Sequence, residues 1–467
     1  MGNKLLIGIH KIKENKGGFI GCLLLLFLIT MCLYAVFFVD AKARSQWNDP
    51  LFWTDNPKSA APVWLNYVLK LFNYQIPEHV ILDKKEAIVD SESDIDFNLQ
   101  NVTFNYNFDF NEFPSSFSIP YTLEIGEIPP VIDVYVKRPD GQELMLYSIS
   151  LDSVTIGQND SFDNRLISGK IFSSSQEVRN SLDDYSNLFS FSTSGLPSEK
   201  IVFSETKMNT PLKGDYKIIF SLYSFDNETT IGQLKLVIDG RVFGLLGTDE
   251  FKRDVFFGIL IGTPVALFIG VSVALSSSVI GLFYGLMAGY KGKKTGILML
   301  ILIDIFMTIP SFILLIIISL NFGRNLLFLI ALFILFGWPG LALLNRTFSI
   351  QLKNYQYVEA SKLMGESDFK IVFRHMIPQL LAFTLANFAL SVPSAILGES
   401  ALSFLGFGDP SFPTWGQMLE DAHSSSAEIK GYWWWVLAPG VMISITSIAF
   451  ILIGRSLEGL VKISKKR

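Results

Sequence analysis

Six apolar runs constrain this 467-residue chain more than any other feature. The first, Phe19–Val39, has the length of about twenty residues that a helix needs to cross a bilayer. The others lie near residues 256–289, 297–320, 326–344, 379–398 and 433–454. Within lipid, backbone N–H and C=O groups must be satisfied internally, so such runs are read as helices. The expected fold class is an α-helical polytopic membrane protein with six transmembrane helices. A composition of 50% hydrophobic and 17% charged residues fits that class. The run at 256–289 exceeds one crossing, so it either starts as an interfacial helix or tilts. The first run also admits a second reading, a cleaved signal peptide with Ala41–Ala43 as its small-residue site.

Residues 40–245 differ in kind. In "VTFNYNFDF", Val102, Phe104, Tyr106, Phe108 and Phe110 share one face at period two. Val131–Leu151 reads as strand, Pro-Asp-Gly turn, strand, and Gly214–Gly240 as another hairpin. The expectation is an inserted antiparallel, mainly-β domain, a sandwich by pattern, large enough to fold independently. The division expected is a 1–18 terminus, a 19–39 first helix, a 40–245 β domain, and a 246–467 core with five transmembrane helices.

Lys and Arg near the ends of the runs orient the chain. Lys4, Lys11, Lys13 and Lys16 precede the first run, and Lys291, Lys293 and Lys294 follow the second. Arg346, Lys353, Lys362, Lys370 and Arg374 follow the fourth, and Arg455, Lys462, Lys465, Lys466 and Arg467 follow the sixth. Only Arg324 lies in the link between the third and fourth. Six crossings put the large clusters on one side. Both termini are then cytoplasmic, and the β domain is extracytoplasmic.

Catalytic chemistry has no foothold here. No nucleophile–base pair is recognisable, and His10, His79, His375 and His423 are scattered without metal-ligand spacing. Cys22 and Cys32 both lie in the first apolar run and read as small helix residues. "GYKGKKTG" (Gly289–Gly296) fails as a phosphate loop, because Met287 and Lys294 stand where Gly and Ser/Thr are required. No cofactor is expected on this chain. A formal charge of −5 gives no reason to expect nucleic-acid binding.

The segment 345–378 is polar between two apolar runs. "YVEASKLMGE" favours a helix ending at Gly365, and "SDFKIVFRH" a second one capped by Ser367 or Asp368. Pro378 then opens the next crossing, where a missing N–H costs nothing. Ala360 and Ser361 are small enough for another surface to approach closely. The segment is either a docking knob for a cytosolic partner or a solvated loop.

Glu359-Ala360-Ser361, Gly365 and Ile377-Pro378 resemble the EAA loop of ABC importer permeases. Ser361 stands for the third small residue, His375 for an isoleucine and Ile377 for a leucine of the EAA–x3–G–x9–I–x–L–P pattern. Further blocks resemble the second permease subunit of dipeptide, oligopeptide and nickel importers: Leu245–Gly262, Gly281–Gly292, Ile303–Ile316, Phe336–Arg346 and Gly398–Leu419. The resemblance runs from about 245 to 460. It implies a type I ABC importer permease core in the cytoplasmic membrane. It also implies a homologous permease subunit as heterodimer partner, two ATPase subunits that hydrolyse ATP with Mg, and an extracytoplasmic substrate-binding protein. The transported substrate would be a peptide, or else nickel or another small solute. Glu359, Ala360, Ser361, Gly365, Asp368, Arg374 and Pro378 would form the coupling loop. Lys252 departs from the family's usual glycine, so a different backbone is expected there. The β domain is longer than the family's usual link, and its size keeps open a receptor or sensor role.

Three residues are candidates for the translocation path. Asp304 sits roughly 10 Å into the third run, where a carboxylate must face the bundle or a wet cavity, or else pair with a neighbouring helix. Pro310 can kink the same helix. Glu399 belongs to "LGESALSFLGFG", which reads as a short helix dipping back from the outer face. Gly281, Gly285 and Gly289 form a small-residue ridge, either a moving interface or static packing. Trp415 and "YWWWV" (Tyr432–Val436) read as an aromatic belt or, alternatively, a peptide-binding surface.

Overall fold

The computed structural model describes residues 16–93, 97–151 and 166–464. Lys4, Lys11, Lys13 and Lys465–Arg467, on which part of the orientation reading rests, lie outside the described residues, as does His10. Two compact units divide at Asp49 and Asp254, against the 40 and 245 read from composition. Residues 16–48 and 255–464 form the membrane unit, and 49–254 the β unit.

The membrane unit is built from α1 (Lys16–Phe37), α2 (Val255–Lys291), α3 (Lys293–Thr308), α4 (Ser311–Phe322), α5 (Leu326–Lys353), α6 (Gln356–Leu363), α7 (Asp368–Phe404), α8 (Trp415–Ser424) and α9 (Trp433–Ser464). Five of these, α1, α2, α5, α7 and α9, are long and apolar enough to cross a membrane. The third apolar run is not one helix. It is the pair α3–α4, bent by 71° and counting as a sixth crossing only if taken together. Pro310 caps α4 from outside with φ −71° and ψ 82°, so it breaks the run rather than kinking it.

Glycines bring the helices into backbone contact. A Cβ on Gly21 of α1 would lie 2.9 Å from the Ala449 carbonyl oxygen of α9. One on Gly270 of α2 would meet Val392 and Ile396 of α7, and one on Gly454 of α9 would meet Leu390 of α7. Contact this close is how helices associate in lipid, where burial of apolar surface supplies no driving force.

The β unit is a two-sheet antiparallel sandwich. Its strands are β1 (Val80–Asp83), β2 (Ile88–Ser93), β3 (Asn98–Phe108), β4 (Ser116–Glu124), β5 (Val131–Lys137), β6 (Glu143–Ser150), β7 (Leu166–Phe172), β8 (Gly214–Ser224) and β9 (Thr230–Asp239). One sheet has the order β1-β9-β4-β7 and the other β2-β3-β8-β5-β6. Val102, Phe104, Tyr106 and Phe108 are buried in the shared core, with Phe110 at its edge. β5 and β6 pair around the Pro139-Asp140-Gly141 turn, where Gly141 has φ +82°. Gly214–Gly240 is not a hairpin: β8 pairs with β3 and β5, and β9 with β1 and β4. The chain crosses between sheets at Asp226, whose carboxylate accepts the amides of Ile128, Glu228 and Thr229.

Lys252 takes φ +66°, a conformation that favours glycine, so the turn expected to differ keeps a left-handed residue. Its backbone strain, about 1–2 kcal/mol, is offset by its side chain. Nζ donates to the Thr54 carbonyl at 3.1 Å and lies 3.6 Å from Asp239 Oδ2.

Candidate coupling loop and pathway residues

The polar segment folds as a helical hairpin with a defined tip. α6 ends in a Schellman turn: the Gly365 amide donates to the Lys362 carbonyl at 3.1 Å, and the Glu366 amide to Ser361 at 3.2 Å. Gly365 has φ +80°, which makes that turn possible. Ser367, rather than Asp368, caps the next helix, its hydroxyl accepting the Lys370 amide at 3.4 Å.

One side of the hairpin is anchored. Val358, Ile371, Val372 and Met376 are buried against Leu282, Leu286 and Tyr290 of α2, Leu352 of α5 and Leu380 of α7. The other side is open. Leu363 is 85% exposed, Met364 74% and Phe369 63%, an apolar tip around Gly365. Glu359, Ala360, Asp368 and Arg374 are exposed beside it.

Ser361 corrects the expectation of two small residues facing outward. It is buried, donates to the Tyr357 carbonyl at 2.9 Å, and lies 3.4 Å from His375 Nε2. His375 in turn meets Glu366 Oε2 at 2.9 Å, while Glu366 Oε1 pairs with Lys370 at 3.1 Å. Hydrogen bonds from Lys370 and His375 hold the Glu366 carboxyl below its usual range. The residue that departs from the family's isoleucine is therefore a polar clasp across the hairpin. Sequence reasoning noted the departure but not this role. The pairing has no sequence periodicity, since its partners stand nine and fourteen residues away.

Pro378 does not begin a separate helix. α7 runs unbroken from Asp368 to Phe404, and Val372–Met376 form a π turn within it. The Ile377 amide reaches back to the Val372 carbonyl. The widened turn precedes a proline that lacks an N–H and would crowd the carbonyl four residues back. The second half of the hairpin and a membrane crossing are thus one rod.

The glycine ridge is a tight seam between α2 and α5. A Cβ would lie 2.7 Å from Leu341 Cβ at Gly281, 2.3 Å from the Ala342 carbonyl oxygen at Gly285, and 2.5 Å from Ser349 Cβ at Gly289. Ser349 Oγ crosses the seam to donate to the Leu286 carbonyl at 2.7 Å.

The three pathway candidates are not brought together. Asp304 is exposed on α3, and its carboxylate has no ion-pair or hydrogen-bond partner among the described residues. Glu399 lies inside α7, not on a short helix dipping back; the short helix of this region is α8. Glu399 is 3% exposed and accepts from Ser403 Oγ at 2.7 Å. That places it in an enclosed network rather than at an open mouth. Trp415, Trp434 and Trp435 are also buried, with Trp415 Nε1 donating to the Ile259 carbonyl at 3.4 Å. Only Trp433 of the expected tryptophan belt is exposed.

Apolar helices joined to a charged hairpin with an exposed tip define a multi-pass membrane protein that carries a polar docking element. The chain belongs to the family of binding-protein-dependent transport system inner membrane components, which matches residues 281–466. It is 37% identical to the dipeptide transport system permease protein DppC of Bacillus subtilis (strain 168), over 45% of this chain and 66% of the relative. To the oligopeptide transport system permease protein OppC of the same organism it is 32% identical, over 51% and 77%. To the di/tripeptide transport system permease protein DppC of Pseudomonas aeruginosa (strain UCBPP-PA14) it is 34% identical, over 47% and 72%. The family's members are membrane permease components and not enzymes. The chain is accordingly a multi-pass inner-membrane protein.

Proposed function

We propose that this chain forms half of the translocation pathway of an ATP-driven importer of di- and oligopeptides. The peptide substrate follows from the names of the relatives. The observation that carries the coupling mechanism is the hairpin, whose exposed tip is continuous with the crossing α7. A homologous permease subunit supplies the other half. Each permease docks one ATPase subunit, and those subunits bind and hydrolyse ATP with Mg. Leu363, Met364 and Phe369 enter the ATPase surface, with Glu359 and Arg374 setting charge complementarity around them. When the ATPases close, the Schellman turn keeps α6 and α7 moving as one body, and the push travels along α7.

The basic residues Lys16, Lys291, Lys293, Lys294, Arg346, Lys353 and Arg455 support a reading in which the hairpin is cytoplasmic and the β unit is outside, where a substrate-binding protein delivers peptide. Asp304 faces the pathway or the partner subunit, since its carboxylate is left open on a membrane-embedded face. The test is uptake of labelled di- and oligopeptides in a strain lacking this chain, with and without the chain restored. Restored uptake is expected. Unchanged peptide uptake overturns the substrate reading.

A further inference from the structure

We propose that the short helix Trp64–Lys70 of the β unit lies on the lipid surface of the membrane and is a monotopic anchor for that unit. The helix is amphipathic in the inverted sense. Trp64, Tyr67, Val68 and Leu71 recur at the spacing of one helical face, and that face is exposed: Tyr67 is 69% exposed and Leu71 81%, with Phe72 adjoining at 76%. The opposite face buries a polar residue. Asn66 is 3% exposed, its side chain donating to the Ile76 carbonyl at 3.0 Å and accepting the Ile76 amide at 3.1 Å. A helix that turns its amide side chain inward and its apolar stripe outward is built for a surrounding medium that is not water.

The occupant is lipid because of where the stripe stands in the chain. Trp64 Nε1 donates to the Leu245 carbonyl at 3.1 Å, and the Val63 amide to the Gly244 carbonyl at 3.0 Å. Leu245 stands ten residues before Val255, where α2 begins. Ten residues span no more than about 35 Å. Leu245 and Phe251 are themselves exposed, so apolar surface continues along the chain toward the crossing. Trp and Tyr with a flanking lysine are the side chains that favour the headgroup level, and Lys70 Nζ lies 6.0 Å from the Tyr67 ring. The inference holds on whichever side of the membrane the β unit lies, so it stands or falls apart from the peptide-import reading.

The test uses the full-length chain with Cys22 and Cys32 replaced by serine, reconstituted in phosphatidylcholine–phosphatidylglycerol vesicles. An environment-sensitive fluorophore is placed at Leu71→Cys, at Tyr67→Cys, and at the exposed polar Lys207→Cys as reference. Lipids carrying a nitroxide near the headgroup should quench positions 67 and 71 at least twofold more than position 207, and aqueous iodide should favour 207. Equal iodide quenching at all three positions without lipid quenching overturns the proposal. So does protection from iodide without lipid quenching, including protection that needs added permease or binding protein, which would assign the stripe to a protein contact.

Discussion

Gly365 is the position where one substitution tests the coupling hairpin most directly. Its φ of +80° is inaccessible to proline, whose ring holds φ near −65°. Proline also removes the amide that donates to Lys362 at 3.1 Å. Strain and lost bond together cost about 3 kcal/mol or more, which is more than a hundredfold in the population of the native turn. Alanine isolates the conformational part, because a Cβ at Gly365 meets nothing within 4 Å. Its cost is about 1–2 kcal/mol. The assay is peptide uptake together with ATP hydrolysis in the reconstituted importer, with membrane abundance as the folding control. Gly365→Pro should leave insertion and ATP hydrolysis largely intact and reduce uptake per ATP severely, and Gly365→Ala should fall between. Normal uptake by the proline variant would refute transmission through a rigid turn.

Further outcomes are expected at other sites. Gly285→Ala puts a Cβ 2.3 Å from the Ala342 carbonyl oxygen, forcing α2 and α5 apart by roughly 1 Å at a cost of about 1–3 kcal/mol; an unchanged thermal midpoint in detergent would contradict the seam. Glu359→Lys should lower the yield of ATPase subunits copurified with the chain, and an equal yield would count against docking at α6. Residues 49–254 expressed alone should give a β-type circular dichroism spectrum, and a helical or unfolded one would refute their independence. In that fragment burial depresses His79 from 6.5 to about 4, with Lys252 acting in the same direction. The unfolded chain therefore takes up a proton before the folded one does. The His79 contribution to stability should fall as pH drops from about 6.5 to 4, by at most about 3 kcal/mol. Asp239 and Asp249, whose carboxyls burial raises, Asp249 to about 6, work the opposite way from their usual value near 3.8 upward. Relative to the parent fragment, a His79→Gln variant should gain stability as pH drops from about 6.5 to 4, and a constant difference between the two across that range would refute the His79 contribution.

The sequence by itself determined which stretches are apolar, which alternate and where the turns must fall. The long crossings, the inward faces of β3 and the helix stop at Gly365 were legible because each depends on residues within a turn or a strand. Tertiary structure decided what each apolar face meets. β8 and β9 alternate like a hairpin, yet they enter different sheets, since alternation marks a face and says nothing about a partner. Ser361 and Ala360 are neighbours of similar size, but the hairpin's packing turns one toward His375 and leaves the other open. Trp415 carries the composition of a membrane belt and is instead enclosed near Ile259. Pro310 was legible as a perturbation, and only the three-dimensional structure showed that the run divides there with a bend of 71°. The physical reason is common to all of these. Local pattern fixes backbone conformation and the apolar direction, whereas long-range contacts choose among the many surfaces that could satisfy that direction.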